Sequence, residues 1–592
     1  MTLTDAQATA LDDLRRLSSS ASAQVVGDTV LDADLVVQVS LNTTAFEYVE
    51  GGLQVETREQ LFIVVTPGFP WVPPQVHVAH YRWAGFPHVL QGSRLCLYLD
   101  PATEWNPLSG VAGFLGRLWD WFADAIANRF DPTTALYQPV GGVFHRTDGA
   151  PTVVVTDAIG DLGAGFGTTG MILRPRTEQR LDVLADEEDV PADGFRGLLV
   201  VLSDGLPYGG GHYLSDLAVA IRGQDSRKQR KQFLAAIAKA ARGLSADGHL
   251  HVVIAVPNLH LAGQARFHLI GWRLPRSAVA KAVEATSRRH QPESPHPEDE
   301  PRVQWTYVDD VRTAVTTRRD RQRPVNWFEG KTVELWGCGA LGSWIAEFLV
   351  RAGVATITLR DTGYVTAGLL VRQNFTQLDV GRRKVDALAD RLRAISDEVN
   401  VIEQPGLAQV ALQGAVDADV IIDCTVNTGV AVAIDQAQVS GTLPTPVVQV
   451  ATDNDSATLG ILTVSMGSPA ATTNATDKAL RETVATDSTL RPYLAFWNRD
   501  KHPSLIPTLG CSVPTFHGAA TDASAIAAQA VSLAATALVR RLAAGYVFAA
   551  AHSPHSVPRL VVVPVDSDGT DRGLPCASDS RPGTEPPAEA KD

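Results

Sequence analysis

At 592 residues the chain exceeds what one hydrophobic core supports, and typical domain sizes divide it into about three to four domains. A hydrophobic fraction of 45% and a charged fraction of 20% are those of an ordinary globular protein. The net charge of −14 gives no field for phosphate backbones or anionic lipid, so no nucleic acid and no membrane is expected among its partners. Five cysteines, at 96, 338, 424, 511 and 576, include no Cys-x-x-Cys pair, which argues against a disulfide framework or a zinc ribbon and for a reducing, cytoplasmic setting. Residues 1–16 carry three Asp and no apolar run, so no signal peptide is expected there.

In chain order, Leu11, Leu14 and Leu17 form the apolar stripe of a first helix, and residues 35–41 and 60–66 read as strands. A second amphipathic helix is predicted over 111–130, with Phe114, Leu118, Trp121 and Phe122 on one face. Helix, antiparallel strands and helix make an α+β domain over 1–147. Residues 148–304 follow an α/β pattern, with strands at 152–156, 197–202 and 251–256 and a basic helix near 226–242. Four prolines and many charges make 287–302 a linker by composition. A strand at 332–336, a helix at 341–352 and a strand at 356–360 then predict a βαβ unit with a parallel sheet, extended by strands at 399–403, 420–424, 447–450 and 459–464. This α/β, Rossmann-like domain is assigned 305–566. The Ala-rich stretch 523–539, interrupted by Ser524, Gln529, Ser532 and Thr536, reads as a buried helix rather than a bilayer span, and 567–592 as a disordered tail.

The turn Gly337-Cys338-Gly339-Ala340-Leu341-Gly342 joins a strand to a helix, where phosphate can approach the backbone and meet free N–H groups. Asp361, ending the next strand, is placed to accept hydrogen bonds from ribose hydroxyls. These features alone suit a NAD-dependent oxidoreductase equally well. Downstream, Arg372-Gln373-Asn374 and Gly381-Arg382-Arg383-Lys384 resemble the Arg-Gln and Gly-x-x-Lys segments of the family that includes bacterial sulfur-carrier activators and ubiquitin-activating enzymes. The resemblance implies ATP as cofactor, with Gly337, Gly339 and Gly342 as its cradle, Asp361 on the ribose, and Arg372 and Lys384 on the triphosphate. It also implies Mg, for which Asp423 is the candidate ligand. Three positions depart from the family pattern: Gly363 and Val426 stand where it has Asp, and Leu369 where it has Asn. Arg318 and Arg319 either supply a further phosphate contact or form a basic linker.

Two further cysteines have motif contexts. Cys511, in Gly510-Cys511-Ser512-Val513-Pro514, reads as lying in an accessible loop ahead of a helix that, with His517, would lower its pKa. It resembles the catalytic Cys of activating enzymes. Cys338 and Cys424 read as core residues, and Cys576 has no supporting context. Pro73-Pro74, Pro87-His88, Cys96-Leu97 and Trp105-Asn106-Pro107 resemble the active-site strip of ubiquitin-conjugating enzymes, with Cys96 as the acceptor thiol. His88 replaces that family's oxyanion-supporting Asn, and is either a hydrogen-bond donor or base, or structural.

The order of domains resembles the activating/conjugating fusion proteins of bacterial CBASS antiphage operons. The resemblance implies activation of a protein C-terminus by ATP, thioesters on Cys511 and then Cys96, and transfer to a target-protein lysine. The activated protein would be a cGAS-like nucleotidyltransferase or a ubiquitin-like modifier, and the enzyme a homodimer. A noncatalytic scaffold with a conjugating fold is the remaining alternative, and it predicts that Cys96→Ala is silent.

Overall fold

A computed structural model describes residues 3–17, 22–80, 82–83, 86–90, 94–131, 146–185, 190–206, 211–221, 225–257, 263–289, 295–316, 320–414, 416–498, 505–508, 511–514 and 517–565, the side chains of Ala265, 505–508 and 511–514 excepted. Two compact units divide the chain, Met1–Thr317 and Arg318–Asp592.

The first unit contains two sheets. An antiparallel sheet takes Ala23–Leu31, Asp34–Asn42, Arg58–Val65, Gln75–Val78, Arg94–Leu95 and Val89–Leu90 in that spatial order. In its second and third strands, buried residues largely alternate with half-exposed ones, as expected of a sheet packed on one face. Helices Asp5–Leu17 and Gly110–Ile126 supply Leu11, Leu14, Phe114, Leu118 and Phe122 to the same core as Val37, Leu61 and Ile63. The expected helix–meander–helix plan is present. The second helix stops at Ile126, four residues short of the predicted end.

The second sheet is eight-stranded and mixed. Its order is Gln304–Thr306, Phe267–Pro275, His249–Pro257, Phe195–Val201, Gly167–Thr177, Arg180–Leu184, Thr152–Val155 and Val308–Asp310. One face carries the core of helices Leu214–Ala220, Ser226–Arg242 and Arg276–Arg288, and a separate apolar cluster lies on the other. The boundary read at 304 falls inside this sheet, since strands 304–306 and 308–310 belong to it. The linker read at 287–302 is also corrected. Arg289 and Glu300, both buried, bond Ser215, and Arg289 pairs with Asp216, so the ends of that stretch are tied to helix Leu214–Ala220. Composition marked the charges but not their partners more than 70 residues away.

In the second unit the sheet order is Asn400–Gln404, Thr356–Arg360, Thr332–Trp336, Val420–Asp423, Val447–Thr452, Leu459–Ser465, Ala544–Ala549 and Leu560–Pro564. The first five strands are parallel. The last three are antiparallel, so the parallel sheet expected from sequence covers only part of it. Helix Ala520–Arg540 is long and apolar enough to cross a bilayer, yet Ile526, Ala527, Ala530 and Ala534 pack into the main core of this unit. Strand order reverses between Thr332–Trp336 and Val420–Asp423, and ligands of open α/β sheets bind outside the carboxyl ends of strands at such a point.

Candidate active sites

The three glycines of the first turn have three different physical reasons. Gly337 has φ +86°, a left-handed backbone that glycine adopts without strain, and a Cβ there would lie 3.0 Å from the backbone of Cys424 and Thr425. Gly342 opens helix Gly342–Arg351, where a Cβ would lie 1.8 Å from the Gly337 carbonyl oxygen. Gly339 faces open space, with nothing within 4 Å of where its Cβ would stand, so the backbone there is accessible to a phosphate.

Asp361 clamps this turn. One carboxylate oxygen accepts the Cys338 N–H at 2.7 Å and the other accepts the Gly363 N–H at 2.6 Å. Lys384 begins helix Lys384–Ile395, and its N–H donates to the Gly363 carbonyl at 3.0 Å. A Cβ on Gly363 would stand 2.9 Å from Asp361 and 3.3 Å from Lys384 Nζ, so a side chain there would crowd both. The carboxylate and the ammonium thus border one small space beside the glycine turn. The Trp344 indole donates to the Arg372 carbonyl, the Asn374 N–H to Ser343 Oγ and the Asn374 amide to Glu347, which stitches 372–374 to helix Gly342–Arg351. Glu347 also accepts from Arg351 and Arg391. Burial opposes its ionisation, but those hydrogen bonds outweigh burial and hold its carboxyl below the usual range. Burial pulls the Arg372 guanidinium down. Glu347 was not singled out in the sequence; its position on a helix face gives no sign of the three partners.

Glycine turn, helix start and Lys384 fit a nucleotide phosphate. Asp423 does not fit a magnesium ligand. It is buried, one oxygen accepts both the N–H and the hydroxyl of Thr425, and the other accepts the Gln449 amide at 2.9 Å. Its carboxylate holds the turn that passes through Val426, a β-branched residue at φ +52° and 73% exposed, to Asn427, which caps helix Thr428–Val439. Among the described residues no group of three His, Cys, Asp or Glu could hold a metal. Cys338 is fully buried and Cys424 partly so, and burial pushes both thiols well above their ordinary range, as suits core residues.

Around Cys96 the first unit builds a thiol seat. The Cys96 N–H donates to the His88 carbonyl at 2.8 Å, and its Sγ lies 3.4 Å from the Tyr98 carbonyl. Burial pushes the thiol up, Arg94 pulls it down, Glu104 adds to the rise and Arg117 opposes it; the balance leaves it above the ordinary value. Arg117 is held by donating to the Leu97 carbonyl at 2.6 Å, and Glu104 by accepting the Leu99 and Asp100 N–H groups. Trp105 donates to the Pro70 carbonyl at 2.7 Å and stacks edge-on with Tyr98, joining the Pro-rich segment to the loop after Cys96. His88 is buried at φ +62°, with its ring edge-on to Phe130 at 4.6 Å, and burial and then Arg117 lower its pKa, so it is neutral at pH 7. A backbone bond is what links it to Cys96. Arg117 was missed in the sequence because only folding brings its charge on helix Gly110–Ile126 to a loop 20 residues earlier, whereas Arg94 and Glu104 stand close to Cys96 in the chain but carry no motif signal.

The loop read around Cys511 is corrected in its backbone: Cys511–Pro514 pairs antiparallel with Leu505–Thr508, Thr508 opposite Cys511. The Cys511 side chain, Arg318, Arg319, Cys576 and 567–592 lie outside the described residues. The His517 N–H donates to the Asn454 carbonyl.

Residues 327–546 match the ThiF family and residues 7–158 match Prokaryotic E2 family A. The chain is 34% identical over 149 residues, 24% of its length, to an ATP-dependent ubiquitin transferase-like protein Cap2 of Enterobacter hormaechei, covering 23% of that protein. It is 34% identical over 18% of its length to the sulfur carrier protein ThiS adenylyltransferase of Bacillus subtilis, and 36% identical over 19% to that of Escherichia coli, covering 34% and 45% of them. The matches thus span less than half of each of these relatives. A solved structure of E. coli MccB with AMPCPP and MccA aligns over 40% of this chain and 65% of that one, at 15% identity and a TM-score of 0.30.

Proposed function

We propose, from the premise that this chain joins a Prokaryotic E2 family A domain to a ThiF-family adenylation domain, that it activates the C-terminal carboxylate of a protein and conjugates it to a lysine. The observation that carries the reading is the presence in one chain of a nucleotide cradle bordered by Asp361 and Lys384 and of a built thiol seat at Cys96. A carboxylate is a poor electrophile. In the proposed first step its oxygen attacks the α-phosphorus of ATP, supplied as its Mg complex, and pyrophosphate leaves with its charge met by Lys384 and Arg372. The Cys511 thiolate then attacks the acyl carbon and AMP leaves. Cys96 attacks that thioester, releasing Cys511, and a lysine amine finally displaces Cys96, its proton passing to solvent.

A cGAS-like nucleotidyltransferase, or a ubiquitin-like modifier, is the proposed activated protein, and antiphage defence in the cytoplasm by a homodimer the proposed setting. The similarity to a protein named ATP-dependent ubiquitin transferase-like supports the reading over a NAD-dependent oxidoreductase. The test is incubation with MgATP and candidate carriers, followed by non-reducing gels. Thiol-labile adducts are expected on Cys511 and Cys96, with Cys96→Ala keeping only the first and Cys511→Ala losing both. Absence of ATP–pyrophosphate exchange with every carrier overturns the proposal.

A further inference from the structure

We propose that the middle sheet carries a second small-molecule site, which takes an oxyanion-bearing ligand of about nucleotide size, phosphate or carboxylate, on His251 and Arg273. A cavity of about 1030 Å³ lies there, and all its lining residues fall between Pro151 and Arg273, outside the ThiF-family region. That volume suits a small organic ligand rather than a lone ion.

Its floor is polar and buried. His251, 5% exposed, has an Nδ1 with no hydrogen-bond partner among the described residues. An unpartnered buried ring nitrogen costs free energy that a ligand atom would recover. Arg273 stands directly opposite His251 on the neighbouring antiparallel strand, and His249 lies two residues earlier on the same face. The Arg273 side chain donates from Nε to Gln304 at 2.8 Å and from Nη2 to the Gly149 carbonyl at 3.2 Å, which uses two of a guanidinium's five N–H donors. The Phe195 ring, 5.4 Å from that of His251, adds an apolar wall.

Charge selects the class of ligand. Arg196, Lys239 and Arg273 line the cavity, and among the described residues that line it Glu178 is the one carboxylate. Burial, with Arg273 and His249 adjacent, lowers His251 to about 3, so near pH 7 its imidazole is neutral and offers one donor and one acceptor. A guanidinium beside a neutral imidazole donor suits an oxyanion oxygen and disfavours a cation.

The experiment is calorimetric titration of the full chain with inorganic phosphate, AMP and citrate in turn. The expected result is saturable binding of at least one, the phosphate and citrate arms showing which oxyanion is preferred. Binding should weaken at least about tenfold in His251→Phe and Arg273→Gln, the loss of one charge-assisted bond, and persist in Lys384→Ala. Should the core variants fail to fold, Lys239→Glu at the exposed rim decides, with at least about threefold weaker binding expected. Failure of all three probes to bind, binding indifferent to the cavity variants, or binding lost in Lys384→Ala instead overturns the proposal.

Discussion

Cys96 lies between charges of opposite sign, and its reactivity depends on which one is removed. Arg117 opposes the rise that burial and Glu104 impose on the thiol, so Arg117→Gln should push it further up. Alkylation of the Cys96 peptide at pH 8, read by mass spectrometry, should slow by roughly threefold to tenfold. Glu104→Gln should speed it, and wild-type alkylation should still be climbing at pH 9. Equal rates in Arg117→Gln and wild type would show that the guanidinium does not act on the thiol. Gly342 is a residue of the opposite kind, constrained by space rather than charge. Gly342→Ala drives a methyl into the Gly337 carbonyl oxygen 1.8 Å away, a backbone atom that no rotamer change can move. A loss of at least about 3 kcal/mol is expected in denaturant melts of the second unit, with nucleotide binding abolished.

Elements place these residues through bonds that run between them. Helix Gly342–Arg351 both supplies the proposed phosphate-facing start and, through Glu347, anchors Asn374 and so the Arg372 segment. Glu347→Gln leaves Arg351 and Arg391 without their shared carboxylate, at a cost of about 1–3 kcal/mol and with weaker ATP binding, both readable in one titration series. Strand His249–Pro257, buried along most of its length, carries His251 with a pKa of about 3 against 6.5 for an open chain. Because the folded value is depressed, the unfolded state takes up the proton first: stability is complete above 6.5 and lost as pH falls toward 3. From pH 7 to pH 5 this one residue should cost the first unit about 2 kcal/mol, a slope absent in His251→Gln. An equal slope in that variant would assign the acid sensitivity elsewhere.

The whole molecule divides into two compact units, and the second of them holds the proposed nucleotide cradle. Calorimetry should therefore resolve two transitions, and MgATP should raise that of the second unit by about 2.7 kcal/mol at a hundredfold excess over Kd. Lys384→Ala should abolish the shift. Much of this was legible in the residues. The βαβ periodicity of 332–360, the glycine turn and the positions of Asp361 and Lys384 follow from local backbone geometry, which a short window of sequence encodes. Cys96 beside a Pro-rich segment and Trp105 was legible for the same reason. The rest depended on partners far along the chain. Asp423 matches a metal ligand in sequence, yet its oxygens are taken by Thr425 and Gln449, and the ends of the charged stretch 287–302 are tied to Ser215 and Asp216. The sequence by itself determined the elements and the motif-bearing turns, because periodicity and glycine conformation are local. Only the tertiary structure decided which carboxylates are already engaged, which charges surround Cys96 and where a cavity opens beside His251, because strand pairing and burial join residues that no spacing rule connects.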